Sequence, residues 1–227
     1  MLSDERKALD SDLFQAENYP GFSSPMTHRH IDIHDAMLLA PVMKRSSKNL
    51  RGFIGWAKYA NTWDLKNVQK FVSDHVKADG PRAHYLFFIG KEVVGFGSLA
   101  PMPNPFEIQV ALWVAEGYQS KGIGTKIVQT LEWQAAVVWG YSKIYYQHDA
   151  NNQASCKLAK RLGYRYDHTF ESPITANDES GFWISWSKER NQKLGAGILQ
   201  GFPHELWTDP DYCSRRMLET SGLGLYS

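Results

Sequence analysis

Gln119-Ser120-Lys121-Gly122-Ile123-Gly124 stands where a β-branched and aromatic run ends and an apolar stripe at helical spacing begins. This junction constrains the fold more than any other stretch. Glycines at 122 and 124 leave the backbone bare on one side, because a residue without a Cβ does not block the approach of a second molecule. Several N–H groups can then converge on an anion. The helix that follows brings its positive dipole end and its unpaired first-turn N–H groups to the same point, and Lys121 adds a point charge. A diphosphate is the ligand class that fits. The string is not a dinucleotide fingerprint, since Gly-Ile-Gly continues as Thr125-Lys126 without a third glycine, and no P-loop string occurs. From these six residues alone a plainer reading stays open, a helix entry that uses glycine only for tight packing.

The elements around the turn follow from periodicity. Ile127, Val128, Leu131, Ala135 and Val138 form one stripe of a helix predicted from Ile123 to Trp139. Upstream, Thr27 to Ile33 reads as a short strand and His34 to Lys44 as a helix. Thr62 or Asp64 caps a second helix with Leu65, Val68, Phe71, Val72 and Val76 at helical spacing, which Gly80-Pro81 stops. His84–Ile89 and Val93–Leu99 make a hairpin around Gly90-Lys91-Glu92. Pro101, Pro103 and Pro105 mark a loop before the strand Phe106–Val114. Lys143–Gln147 is a strand, Gln153–Leu162 a helix closed by Gly163, and Tyr164–Phe170 and Gly181–Ser187 are the last two strands. The sum is an α/β (α+β) domain whose mixed central sheet has about six to seven strands flanked by helices.

That domain is assigned to residues 26–190. Residues 1–25, with the turn-rich Tyr19-Pro20-Gly21, are read as an N-terminal extension. Residues 191–227 hold too many glycines and prolines for a long element, yet Leu199, Phe202, Leu206 and Trp207 imply packing on the domain or on a partner.

Composition removes several function classes. A formal net charge of +1 argues against a binder that neutralises many nucleic-acid phosphates. No run of about 18 apolar residues occurs, so no membrane span is expected. The charged start MLSDERKALDSDLF lacks the apolar stretch of a secretory signal, which makes the cytoplasm the expected location. Cys156 and Cys213 make no disulfide framework and no zinc spacing. Cys156 reads as a small buried hydrophobe rather than a nucleophile. His28, His30 and His34 lack the carboxylate or cysteine that would complete a familiar site, so no metal is expected. Lys44, Arg45, Lys48 and Arg51 read as solvated charge.

Three matched pieces bring in a family. Gln119-x-x-Gly122-x-Gly124 resembles the Gln/Arg-x-x-Gly-x-Gly/Ala turn that holds the CoA pyrophosphate in the GNAT superfamily of acetyltransferases. Asn151-Asn152-Gln153-Ala154-Ser155, followed by Leu162-Gly163-Tyr164, is similar to the Asn-x-x-Ser … Leu-Gly-Phe/Tyr pattern of its ribosomal-protein N-acetyltransferase branch, the RimJ/RimL type. Leu112-Trp113-Val114 ahead of Tyr118-Gln119 also reads like that branch. The resemblance spans about residues 26 to 188.

It implies the GNAT fold with acetyl-CoA as co-substrate. The pantetheine arm would add along Leu112, Trp113 and Val114 like an extra strand. The pyrophosphate would rest on N–H groups from Gln119, Ser120, Lys121, Gly122, Ile123, Gly124 and Thr125. Ser155 is implied near the sulfur, where it protonates the departing thiolate, with Asn152 on the pantetheine amide region. Helix capping remains the rival reading for both residues. The tyrosine that many GNAT enzymes carry four residues before the Leu-Gly glycine is Ala159 here.

The base is less well marked. Several relatives carry a glutamate where this chain has Gln109. Glu107, two residues earlier and so on the same face, is the candidate to activate the amine, directly or through a water. A solvated strand charge is the alternative, and Glu171 and His148 are weaker candidates. Trp56 and Trp63 flank the loop before the second helix, where this branch builds its acceptor cleft, and are read as shaping that cleft or as filling core. The implied function is acetyl transfer to a primary amine, on a protein N-terminus or a small molecule, within a ternary complex. The alternative is a GNAT-fold module that binds acyl-CoA without chemistry. The expected partners are the amine acceptor and a second copy of the chain, with no nucleic acid or membrane.

Overall fold

All seven predicted strands form, and they join one sheet. In the computed structural model, which describes residues 25–55, 57, 64–76 and 83–189, they are β1 (Met26–His30), β2 (Ala83–Ile89), β3 (Glu92–Pro101), β4 (Glu107–Val114), β5 (Lys143–Asp149), β6 (Arg165–Glu171) and β7 (Phe182–Glu189). The sheet order is β1-β2-β3-β4-β5-β7-β6. Every neighbouring pair is antiparallel except β4–β5, which is parallel. Four helices cover it: α1 (Ala36–Phe53), α2 (Leu65–Val76), α3 (Ile123–Trp133) and α4 (Gln153–Arg161). The terminal extensions, Cys213, Trp56, Trp63, Thr62 and Gly80-Pro81 lie outside the described residues.

The entry to α1 is set by two aspartates. Asp32 accepts from the N–H of His34 at 3.0 Å, while Asp35 reaches back to the N–H of Asp32 at 2.7 Å, a reciprocal cap on the short 3-10 turn Ile33–Asp35. Asp35 is buried and pairs with both guanidinium nitrogens of Arg29, at 2.6 and 2.7 Å. The helix then runs to Phe53, nine residues beyond the predicted end at Lys44. Leu39, Met43, Ser46 and Leu50 explain this, since they continue one buried face through the polar cluster at 44–48. Asp64 caps α2 as expected, accepting from the N–H of Asn67 at 2.8 Å.

Each face of the sheet has its own core. Ile108, Val110, Ile123, Ile127, Leu131, Ile144, Tyr146 and Trp186 pack beneath α3 and α4. Leu39, Met43, Val68, Val72, Leu86, Phe96 and Trp113 pack against α1 and α2. The approach of α3 to β3 depends on Gly95. A Cβ there would stand 2.7 Å from Cδ1 of Ile127 and 2.8 Å from the carbonyl oxygen of Trp113. Past Trp133, α3 widens into a π-helical turn, Gln134–Val138, closed by the N–H of Trp139 on the carbonyl of Gln134 at 3.0 Å.

Candidate active site

β4 and β5 pair from Glu107↔Lys143 to Val110↔Tyr146, and there the pairing ends. β4 runs on to Val114 on the arm of β3 alone, and β5 runs on to Asp149 on the arm of β7. A fork opens between them. Ala111, the first residue past it, is exposed although it lies in the middle of the sheet. The edge of Ala111–Val114 that faces away from β3 presents backbone groups that an extended molecule can pair with.

The strand leads straight into the glycine turn. Gly117, Ser120 and Gly122 have φ values of 87°, 60° and 82°. Ser120 is the one non-glycine residue with positive φ among the described residues, a conformation that costs energy and clusters at functional turns. Gly122 occupies the N-cap of α3, and no side chain caps that helix. Gln119 through Gly122 are exposed, so the turn's backbone faces outward. A Cβ on Gly124 would meet Leu112, Val114 and Leu158 only at 3.6 Å, an ordinary contact. Tight packing within the chain therefore does not require glycine at 124, and the plainer reading of the turn loses its force there.

Neighbouring elements hold the turn in place. The Ser46 hydroxyl accepts from the N–H of Glu116 at 3.0 Å, and Asn49 donates to Gln119 at 3.4 Å, both from α1. From α4, Arg161 donates to the Thr125 hydroxyl at 2.9 Å. Asn152 caps α4 by accepting from the N–H of Ser155 at 3.0 Å. The capping reading thus holds for Asn152, and Ser155 supplies the capped donor. The Ser155 hydroxyl itself meets the phenol of Tyr146, whose ionisation burial pushes up to about 12.

Residues 54–164 match the sequence model of the Acetyltransferase (GNAT) family, a span that includes the fork, the turn and α4. The chain carries a GNAT acetyltransferase domain. No curated protein sequence is similar enough to count as a match. Among solved structures, the domain is similar to RimL, a ribosomal L7/L12 α-N-protein acetyltransferase in complex with coenzyme A, at 19% identity and a TM-score of 0.66 over 76% of this chain and 98% of that one. It is similar as well to the microcin C7 self-immunity acetyltransferase MccE in complex with acetyl-CoA and AMP, at 16% identity and a TM-score of 0.65 over 74% and 93%. A third is the acetyltransferase from Salmonella typhimurium that modifies the N-terminal serine of ribosomal protein L7/L12, at 18% identity and a TM-score of 0.64 over 76% and 98%. At these identities the likeness establishes the fold.

Within the GNAT domain, Leu112 and Val114 lie past the end of the β4–β5 pairing and face the backbone of Gly124 in the turn, while Ser155 stands on the first turn of α4 beside Asn152. Glu107 stands apart from them. It opens the paired half of β4 opposite Lys143, three residues before Val110, or about 10 Å along a strand. It is half-buried and shares its face with Gln109. Glu171 is exposed at the end of β6, the outermost strand on that side.

His148 is a correction. Trp186 donates its indole N–H to Nε2 at 2.9 Å, so Nδ1 carries the proton and donates to the carbonyl of Asp149 at 2.7 Å. Both nitrogens are engaged and the ring is buried, which leaves no lone pair for an incoming amine. Ala159 is fully buried and offers no acid, and Cys156 packs half-buried against the α3 core. Among the described residues no group of three or more histidines, cysteines or carboxylates converges on one point. His28 instead stacks on Phe87 at 5.5 Å.

Two features carried no signal in the sequence. One is Tyr146 at the fork. The other is the segment between β6 and β7, which docks on the C-terminal end of α1 through Asn177 N–H to Arg51 O at 3.0 Å and Asp178 N–H to Gly52 O at 2.9 Å. Asp149 ties the same segment to β5, accepting from the N–H and hydroxyl of Ser180 at 2.9 and 3.0 Å. Glu179 accepts from the N–H of Ala176 at 2.8 Å and braces it internally. Polar turn residues mark such a segment as a loop, but their order says nothing of where it docks.

Proposed function

We propose that the GNAT domain transfers the acetyl group of acetyl-CoA to a primary amine by direct attack within a ternary complex. The observation that carries this reading is the open edge of β4 past Val110 and Tyr146, running without interruption into the exposed turn at Gln119–Gly122. The pantetheine arm pairs with Leu112, Trp113 and Val114, and the diphosphate sits on the N–H groups of Gln119, Ser120, Lys121, Gly122, Ile123, Gly124 and Thr125. The sulfur then lies at the fork beside Ser155, whose hydroxyl stabilises the departing thiolate. Glu107 is the proposed base and reaches the amine through water along the β4 face.

The acceptor is a protein N-terminus or an amine-bearing small molecule. RimL and the Salmonella enzyme, named for the L7/L12 N-terminus, support the former, and MccE with bound AMP supports the latter. The proposed compartment is the cytoplasm, and no described helix is long and apolar enough to cross a membrane.

A screen of N-terminal peptides and small amines with acetyl-CoA, read as thiol release, tests the reading. The expected result is turnover that falls in Ser155→Ala and Glu107→Gln. Tight acetyl-CoA binding without turnover on any acceptor would favour a carrier module instead.

A further inference from the structure

We propose that residues 172–181, between β6 and β7, are a tie that sets the width of the fork, and that Asp149 is the positioning residue by which β5 is fastened to it. The inference rests on the fork being the coenzyme site, as read above, and gives a role to groups which that reading does not use.

The two arms of the fork share no backbone pairing. Past Val110↔Tyr146, β4 is held by β3 as far as Val114 and β5 by β7 as far as Asp149. A ladder keeps paired strands about 4.8 Å apart, so beyond the split other contacts must set the spacing. On one face α3 and α4 do this, with Arg161 of α4 donating to Thr125 of α3 at 2.9 Å. On the other face a chain of hydrogen bonds runs from arm to arm through residues 172–181.

It starts just past β4, where Ser46 of α1 accepts from the N–H of Glu116 at 3.0 Å. The end of the same helix offers the carbonyls of Arg51 and Gly52 to the N–H groups of Asn177 and Asp178, at 3.0 and 2.9 Å. From there the segment reaches β5. Asp149 Oδ2 accepts from the N–H and hydroxyl of Ser180 at 2.9 and 3.0 Å, and Asn151 donates its side-chain amide to the carbonyl of Asp178 at 3.1 Å. Asp149 is buried, and its Oδ1 holds the N–H of Asn151 at 2.8 Å. The anchor is thus fixed on its own arm as well as on the segment.

The segment is braced and closely seated. Glu179 accepts from the Thr175 hydroxyl at 3.1 Å and from the N–H of Ala176 at 2.8 Å. A Cβ on Gly52 would stand 2.5 Å from Oδ2 of Asp178, and one on Gly55 would stand 2.7 Å from Cβ of Thr175. Thr175 is β-branched and its hydroxyl is engaged, so it has little freedom to turn away. A side chain at 55 must therefore lift the segment off the helix. The width matters because an extended arm pairing with the edge of Ala111–Val114 fits only a gap of fixed size, and N–H···O bonds weaken beyond about 3.2 Å.

The test cuts the tie at either end in the full chain. Asn151→Ala with Ser180→Ala removes the side-chain bonds to β5, and Gly55→Ala lifts the segment from α1. Asp149 itself is left intact, since changing it would also free the N–H of Asn151. The two cuts are independent, so failure of one variant to fold leaves the other. Width is read as the distance between spin labels on Lys48→Cys of α1 and Lys157→Cys of α4, both exposed, in a chain carrying Cys156→Ser and Cys213→Ser. Acetyl-CoA affinity is read by calorimetry.

Each cut should lengthen and broaden the distance distribution and weaken acetyl-CoA by about fivefold to tenfold, the scale of one hydrogen bond. Adding Thr175→Gly to Gly55→Ala removes the collision and should restore both readings, which a general loss of stability would not allow. Unchanged distances in the cut variants would overturn the proposal, as would weaker binding at an unchanged distance or a changed distance with wild-type affinity. Absence of acetyl-CoA binding by folded wild type would remove the transfer reading, while the distances still decide whether the segment holds the arms together.

Discussion

Trp186 and His148 are joined inside the sheet by a 2.9 Å hydrogen bond from the indole N–H to imidazole Nε2. This bond fixes the histidine as a neutral donor to the Asp149 carbonyl, and burial holds its ionisation below the ordinary imidazole value. In the unfolded chain the same ring titrates near pH 6.5. Below that value the unfolded state takes up a proton that the folded state refuses. The stabilising contribution is therefore complete above about pH 6.5 and is lost as the pH falls from there through the lower folded value. Urea melts should show a loss of stability between pH 7 and 5 that is shallower in His148→Gln. Equal slopes in the two proteins would contradict the assignment.

Asp35 offers a test on the opposite edge of the sheet. Its carboxylate satisfies the N–H of Asp32 and pairs with the fork of Arg29 while itself buried. Asp35→Ala should cost about 2 kcal/mol, the scale of a lost cap together with a charged hydrogen bond. Arg29→Ala should cost less in the Asp35→Ala background than alone, because the two changes remove one interaction. Denaturant melts of the four proteins of the cycle measure this directly, and full additivity would contradict it.

Gly95 and Gly124 should separate folding from binding. Alanine at 95 meets a backbone oxygen that has nowhere to move, at 2.8 Å, and overpacking of this kind costs about 1–3 kcal/mol. Alanine at 124 meets only side chains at ordinary distance. Gly124→Ala is therefore expected to fold as stably as wild type and to lose acetyl-CoA affinity, whereas Gly95→Ala loses stability. Thermal melts beside calorimetric titrations distinguish them. A Gly124→Ala variant that binds acetyl-CoA as the wild type does would show that the turn has no need of a bare backbone at that position.

Much of this was legible before the fold was known, for physical reasons that vary from residue to residue. The strands could be read because β-branched and aromatic runs bounded by turn residues leave few alternatives. The turn could be read because glycine at 122 has a backbone reason, realised as φ 82°. The end of α1 was missed because a polar cluster hid Ser46, a small residue that the buried face tolerates and that bonds the Glu116 amide. Fork chemistry was harder still. Ser155 and Asn152 lie three apart and announce themselves as a cap, but their relation to Tyr146 is a contact between a helix and a strand that no local pattern encodes. His148 looked available in the sequence because its partner, Trp186, is 38 residues away. Strand periodicity puts Glu107 on the face of Gln109 and says nothing of its distance from the fork.

The most direct test of the central claim is calorimetric titration of acetyl-CoA into the full chain, beside Gly122→Ala and Gly122→Glu variants shown to be folded. Both variants carry the strain of a side chain at positive φ, so the length and negative charge of the second separate them. The account predicts one acetyl-CoA per wild-type chain, measurable binding by the alanine variant and none by the glutamate variant. A folded wild type that does not bind, or a glutamate variant that binds as tightly as wild type, would contradict the assignment of the Gln119–Thr125 turn as the diphosphate site.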